Sequence, residues 1–149
     1  MADTANKQYI ATVGRRREAI ARVRLYSAPS AKVMVGTSEA KKGDIVVNGK
    51  SASEYFNFFA FAPVYNKLFV DTDTAGKYIF SVKVVGGGLA GQAEAMVHGM
   101  ARALDKLDHD KHHTTLKSKG YLTRDPRTRE RRKVGNAGKA RRKKSSPKR

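Results

Sequence analysis

The chain contains no cysteine. That excludes a disulfide framework and any zinc finger built on thiolates. No apolar run approaches the ~20 residues that a spanning helix needs. The first eight residues carry neither an apolar stretch nor an Arg-rich amphipathic pattern, so no secretory or transit segment is read there and a cytoplasmic location is the simplest expectation. Acidic residues are scarce. There are 13 Asp and Glu against 31 Lys and Arg among 149 residues, a formal net charge of +18. Such an imbalance repels itself in a compact monomer and suits a polyanionic partner. Nucleic acid is the first candidate and an anionic membrane the second, although no amphipathic helix with a basic polar face is present to bind one.

The charge is unevenly spread. Residues 117–149 hold 15 basic and 2 acidic residues, a net of +13, and residues 1–116 hold 16 and 11, a net of +5. The expected organisation is a mildly basic globular domain, 1–116, followed by an extended basic tail, 117–149. The only large apolar residues of the tail are Tyr121, Leu122 and Val134. Burial alone cannot offset the ordering entropy of such a segment. Residues 120–149 are therefore expected to be disordered in the free chain and ordered by nucleic acid.

Periodicity predicts strands over 8–13, 21–26, 32–35, 45–47 and 78–85, with a short edge strand at 68–70. Residues 14–18 read as a basic turn and 36–44 as a polar loop. Asn48-Gly49 is a strong turn signal. A short helix is expected at 53–56, before an aromatic cluster of Tyr55, Phe56, Phe58, Phe59 and Phe61, and Pro63 limits helix there. The longest helix follows Gly86-Gly87-Gly88 and runs to about Leu107. Its apolar stripe is Leu89, Ala93, Met96, Val97, Met100, Leu104 and Leu107. A second short helix covers about 110–118. Together these predict an α+β fold, a sheet of about four strands with helices on one face.

Three constellations carry chemistry. Arg22 and Arg24 alternate onto one sheet face beside Arg15, Arg16 and Arg17, and guanidinium forks suit phosphate. Tyr26 extends that face and is positioned to stack on a base or sugar. A solvated basic face is the plain alternative. Gly86-Gly87-Gly88 opens a helix whose N-terminal N–H groups favour an anion. It lacks the Gly-Lys-Ser/Thr ending of a P-loop and the context of a dinucleotide fingerprint, so a tight strand-to-helix turn and backbone contact to phosphate both stand. Gly91, Ala95, His98 and Arg102, continued by Lys106, share one helix face. Small residues there would admit an RNA backbone that His98 and Arg102 clasp, or a neighbouring protein. His109, His112 and His113 with Asp108 and Asp110 read as a polar helix connection rather than a metal site, with no thiolate or second-shell partner evident. No acid–base pair or marked nucleophile points to catalysis, and no metal or cofactor is expected.

The run Gly86-Gly87-Gly88-Leu89-Ala90-Gly91-Gln92-Ala93-Glu94-Ala95, followed by His98-Gly99-Met100-Ala101-Arg102-Ala103-Leu104, resembles the signature of the ninth small-subunit ribosomal protein family. So do Gly14-Arg15-Arg16-Arg17-Glu18-Ala19-Ile20-Ala21-Arg22-Val23, Asn48-Gly49-Lys50 with Tyr55-Phe56, and Leu122-Thr123-Arg124-Asp125-Pro126-Arg127 with Glu130-Arg131-Arg132-Lys133. Lys139-Ala140-Arg141-Arg142 and the terminal Lys148-Arg149 complete five ordered pieces along nearly the whole chain. The resemblance implies a core with a left-handed βαβ crossover, like the second domain of the fifth small-subunit protein. It implies a structural rather than enzymatic role, with rRNA of the subunit head and neighbouring ribosomal proteins as partners. Gly87, Gly88, Gln92, His98 and Arg102 would contact rRNA together with the arginine strand. The tail would thread through rRNA by way of Arg124, Arg127, Arg129, Arg131, Arg132, Lys133, Lys139, Arg141 and Arg142. Lys148 and Arg149 would reach the anticodon stem-loop of peptidyl-site tRNA. The chain departs from the family at an insertion over 36–44, at Val97 where a basic residue is usual, at Val134 where an aromatic is common, and at Ser145-Ser146-Pro147.

Extended at ~3.3 Å per residue, the tail would span on the order of 100 Å. Its contacts would be mostly to phosphates, hence tolerant of sequence and sensitive to salt. The rival readings are a small-molecule kinase on the same fold, which calorimetry with nucleotide discriminates, and a chromatin-type binder, which would travel with DNA rather than with small subunits.

Overall fold

The computed structural model describes residues 9–27, 33–35 and 38–142. The Lys148-Arg149 tip, the Ser145-Ser146-Pro147 link, Gly36 and the predicted first residues of two strands, Gln8 and Lys32, lie outside the described residues.

Strands β1 (Ile10–Arg16) and β2 (Ala19–Tyr26) form an antiparallel hairpin that pairs Arg16 with Ala19 around Arg17 and Glu18. The expected basic turn is thus mostly strand. Gly14, Arg15 and Arg16 pair with Ala21, Ile20 and Ala19, so only Arg17 and Glu18 are left to turn. Strands β3 (Val33–Val35) and β4 (Ser38–Ala40) make a separate two-stranded sheet, which puts a strand inside the segment read as a polar loop. Strand β5 (Ile45–Val47) turns through Asn48 and Gly49, both at positive φ, into β6 (Lys50–Ser51). The Ser51 hydroxyl then caps helix α1 (Ala52–Tyr55) by accepting from the Glu54 N–H. After a 3-10 turn over Phe59–Phe61, helix α2 spans Ala62–Thr72.

Helix α2 overturns two expectations. Leu68, Phe69 and Val70 are not an edge strand but part of this helix, whose buried residues Tyr65, Leu68 and Thr72 recur at helical spacing. A three-residue apolar run does not by itself separate strand from helix. Pro63 starts the helix instead of limiting it, because a residue in the first turn has no intrahelical partner for an N–H. Strand β7 (Ile79–Val85), helix α3 (Leu89–Leu107) and helix α4 (His109–Ser118) follow as predicted to within a residue.

The main sheet has five strands in the order β1-β2-β7-β5-β6, one more than counted from sequence. Among the described residues only β5 and β7 pair in parallel, and α1 and α2 make the crossover between them. The fold is α+β, with α3 laid across β1 and β2. Ala19, Ala21, Val23 and Leu25 meet Ala93, Met96, Met100 and Leu104 in the core, while Leu89 at the start of the expected stripe is exposed. On the opposite face a small cluster of Tyr26, Ala40, Val46 and Ile79 covers one end of the sheet.

Strand and helix come closest at Gly14. A Cβ there would lie 1.9 Å from the Ala95 carbonyl oxygen and 2.4 Å from the Gly99 nitrogen. A Cβ on Gly99 would lie 2.6 Å from Cγ2 of Val23. The Thr12 hydroxyl donates to the Gly99 carbonyl across the same contact at 2.7 Å.

Candidate nucleic-acid interface

Strand alternation sorts the arginines. Arg15, Arg22 and Arg24 stand on the sheet face away from α3, and Lys83 of β7 joins them, directly opposite Arg22. Two like charges facing each other across strands are destabilising. Strands β1, β2 and β7 contain no Asp or Glu to relieve them. Arg24 lies 5.0 Å over the Tyr9 ring, a cation–π contact that attracts the guanidinium without neutralising it. Lys83 is not among the residues expected from sequence to meet RNA, because β-branched and aromatic residues dominate its strand. The signal was a single lysine at a solvent-side position. Tyr26 is corrected in the other direction. It is buried under Ala40, Val46 and Ile79 and offers no open ring for a base.

Beyond the hairpin tip the surface continues as a cleft of ≈ 560 Å³ whose lining includes Arg16, Arg17, Glu18, Gly88, Glu94 and Arg129. Arg17 has φ +51°, a conformation that costs a residue with a side chain on the order of 1 kcal/mol. The two readings of the glycine run divide by residue. Gly86 and Gly87 have positive φ, and a Cβ on Gly86 would lie 2.5 Å from the Glu18 carbonyl, so these two make a tight turn against the hairpin. Gly88 faces open space as the N-cap of α3, with no side chain capping the helix. Its neighbouring N–H groups are the ones suited to an anion. Gln92 is committed to the turn: its amide donates to the Gly86 carbonyl at 3.0 Å and accepts from the Tyr55 hydroxyl at 2.9 Å.

The face of Gly91, Ala95, His98 and Arg102 faces the protein's own hairpin, not an RNA backbone. Ala95 is buried against Gly14, and Gly91 lies against Ala19 and the Arg16 carbonyl. Small residues share this face because β1 needs the room. The Arg15 N–H donates to Nδ1 of His98, and Arg102 donates to the Val13 carbonyl at 2.5 Å. Burial, with the Arg102 charge beside it, holds the His98 pKa below that of a free imidazole. A neutral ring accepting at Nδ1 is not a cationic clasp, although the rest of the exposed Arg102 guanidinium stays at the surface.

Arg16 was expected on the RNA face and is found almost buried. It pairs with Glu94 at 2.5 Å and Asp125 at 3.0 Å and donates to the Arg127 carbonyl at 3.1 Å. It therefore ties the root of the tail to the core. Tyr121 and Leu122 pack against the core beside it. The Tyr121 hydroxyl and Lys119 both donate to Asp71, at 2.6 and 2.5 Å. Disorder beginning at Gly120 does not fit these contacts, which hold residues 121–127 in place. Arg124 within this segment, and Arg129, Arg131, Arg132, Lys133, Lys139 and Arg142 beyond it, are exposed, with no ion pair among the described residues. Arg127 pairs with Asp125 and Arg141 with Glu130. Val134, a tail apolar residue, is fully exposed. The tail also bends: Lys133 donates to the Lys139 carbonyl, and Gly135, Ala137 and Gly138 have positive φ. A straight reach is thereby shortened.

This docking has a predictable pH range. Hydrogen bonds from Arg127 hold the Asp125 pKa well below the usual carboxylate range, and bonds from Lys119 and Tyr121 lower that of Asp71. Burial, and then the Asp71 bond, pushes the Tyr121 phenol up to about 12. A depressed carboxylate stabilises docking above its unfolded value of about 4 and loses that contribution as pH falls through its folded value. A raised phenol contributes below about 10 and loses its contribution as pH rises through its folded value. Arg16→Met is expected to release 124–127 at neutral pH, with Tyr121 and Leu122 still docked, and to speed tryptic cleavage after Arg124 and Arg127 severalfold. An unchanged cleavage rate would show that the ion pairs do not hold the segment.

The family model for ribosomal protein S9/S16 matches residues 14–149, from the hairpin to the end of the tail. The chain belongs to this ribosomal protein family. Curated proteins named small ribosomal subunit protein uS9, from three strains of Dehalococcoides mccartyi, are 46, 43 and 42% identical to it over 127 residues, covering 85% of this chain and 86% of each relative. Family members are structural constituents of the small ribosomal subunit and not enzymes, which removes the kinase reading of the glycine turn. Among the described residues, no helix is long and apolar enough to cross a membrane.

Proposed function

We propose that this ribosomal protein binds rRNA of the subunit head through two surfaces and reaches the peptidyl-site tRNA with Lys148 and Arg149. The first surface is the open sheet face with Arg15, Arg22, Arg24 and Lys83, continued by Arg17, Gly88 and Arg129. The second is the tail from Arg124 to Arg142. The observation that carries the reading is the Arg22–Lys83 pair on strands without an acid. Like charges so placed are stabilised by an external polyanion. His98, Gln92 and Arg16 position these surfaces, with most of their polar capacity spent inside the protein.

The tRNA part rests on family membership and on the paired cations Lys148 and Arg149 in a strongly basic segment. Two cations holding a backbone rather than bases suit a site that must accept every elongator tRNA. Removing both residues should leave the subunit assembled and weaken peptidyl-site tRNA binding. Unchanged tRNA affinity in reconstituted subunits would remove that role without touching the rRNA role.

Arg17→Gly separates geometry from charge. Glycine adopts the positive φ freely, so thermal stability should not fall. The salt dependence of rRNA binding should lose about one unit of slope if Arg17 meets a phosphate. A lower melting temperature with an unchanged slope would make Arg17 structural.

A further inference from the structure

Sequence spacing left the histidines near residue 110 as a polar connection, and the fold separates them. His112 points into the core and is buried. Asp108 caps α4 by accepting from the Lys111 N–H at 3.2 Å. His109 and His113, one helical turn apart on α4, are brought to Asp105 in the last turn of α3. The Asp105 Oδ1 lies 2.8 Å from Nδ1 of His113 and 3.3 Å from Nδ1 of His109. One ligand atom from each residue falls within 4.8 Å of the others, and the two rings lie 4.1 Å apart.

We propose that Asp105, His109 and His113 form a binding site for a divalent transition-metal cation, with zinc as the best fit. Zinc bonds of ~2.0–2.1 Å to nitrogen and oxygen put tetrahedral ligand atoms on the order of 3.3 Å apart, close to the 2.8 and 3.3 Å between Asp105 and the two imidazoles, with the third pair within 4.8 Å. Two imidazoles and a carboxylate are a borderline donor set, suited to zinc, copper or nickel and poor for magnesium or calcium. Three protein ligands leave a fourth position for water or a phosphate oxygen. The backbone is ready for this arrangement. The break at Asp108 (φ −148°, ψ 90°) turns the chain directly from one helix into the next. A bound ion would pin α4 to the end of α3. Since α4 leads into the Lys119–Tyr121 contacts with Asp71, it would also stiffen the root of the tail.

The test uses the untagged full chain, titrated with Zn(II) against a chromophoric chelator and with Co(II) alone. One equivalent of Zn(II) should bind, and Co(II) should give the intense visible absorption of a four-coordinate site. His113→Gln and Asp105→Asn should each weaken binding by at least about tenfold, the lower bound for disturbing even an outer partner of a metal ligand. All four imidazoles of the unmodified chain can be followed by NMR. His109 and His113 should shift on adding Zn(II), while His98 and His112 should not. This readout decides the matter even if a variant fails to fold. Absence of stoichiometric binding, shifts at His98 or His112 instead, or wild-type affinity in both variants would leave only carboxylate–imidazole pairs and overturn the proposal.

Discussion

Replacing Gly14 with alanine is expected to unfold or severely weaken the domain. The added Cβ would stand 1.9 Å from a backbone carbonyl oxygen of α3 and 2.4 Å from a backbone nitrogen. Neither atom belongs to a side chain that can swing aside. Ordinary overpacking costs about 1–3 kcal/mol because flexible neighbours give way. Here the hairpin and the longest helix must separate as units, so the cost should be at least about 3 kcal/mol, a large share of a marginal total. Separation would also stretch the bonds from Thr12 to Gly99, Arg15 to His98 and Arg102 to Val13. Urea unfolding of the full chain measures this directly. A midpoint within error of the wild type would mean that β1 and α3 do not meet as described.

The second large effect is in RNA binding. Changing Arg22, Arg24 and Lys83 together to alanine should lower the slope of log K against log salt by about 2–3 units, since each phosphate neutralised contributes about 0.7–0.9. The fold should survive, because all three residues are exposed and stand away from α3. The single change Arg22→Glu gives a sharper contrast. It places an acid opposite Lys83, and a cross-strand pair of opposite charge adds about 0.2–1 kcal/mol. That variant should be slightly more stable than the wild type and bind RNA more weakly. Equal rRNA affinity in both forms would show that the sheet face is merely solvated.

Much of the fold could be read from the sequence because its longest elements are strongly periodic. The stripe from Ala93 to Leu104 admits only a helix, and Ala21 to Leu25 alternate too regularly for anything but a strand. Leu68 to Val70 failed because three apolar residues fit either period. Among the site residues, periodicity grouped Gly91, Ala95, His98 and Arg102 correctly on one face. It could not say that the partner was the protein's own strand, since Gly14 lies some eighty residues away in the chain. Arg16 was misjudged for the same reason. Its partner Glu94 is 78 residues away, and nothing local marks a buried arginine among three consecutive ones. The charge of the tail and its few large apolar residues point to a segment without its own core, and they do not show that Tyr121 and Asp125 find partners in Asp71 and Arg16, far back in the chain.

The central claim is that the open sheet face lies on rRNA in the assembled subunit. Lysine acetylation followed by mass spectrometry tests it at Lys83. In the free chain Lys83 is exposed and should react readily. In reconstituted small subunits it should be protected, and protection should be lost when the rRNA is digested. A Lys83 that reacts equally in the free chain and in the intact subunit would contradict the account.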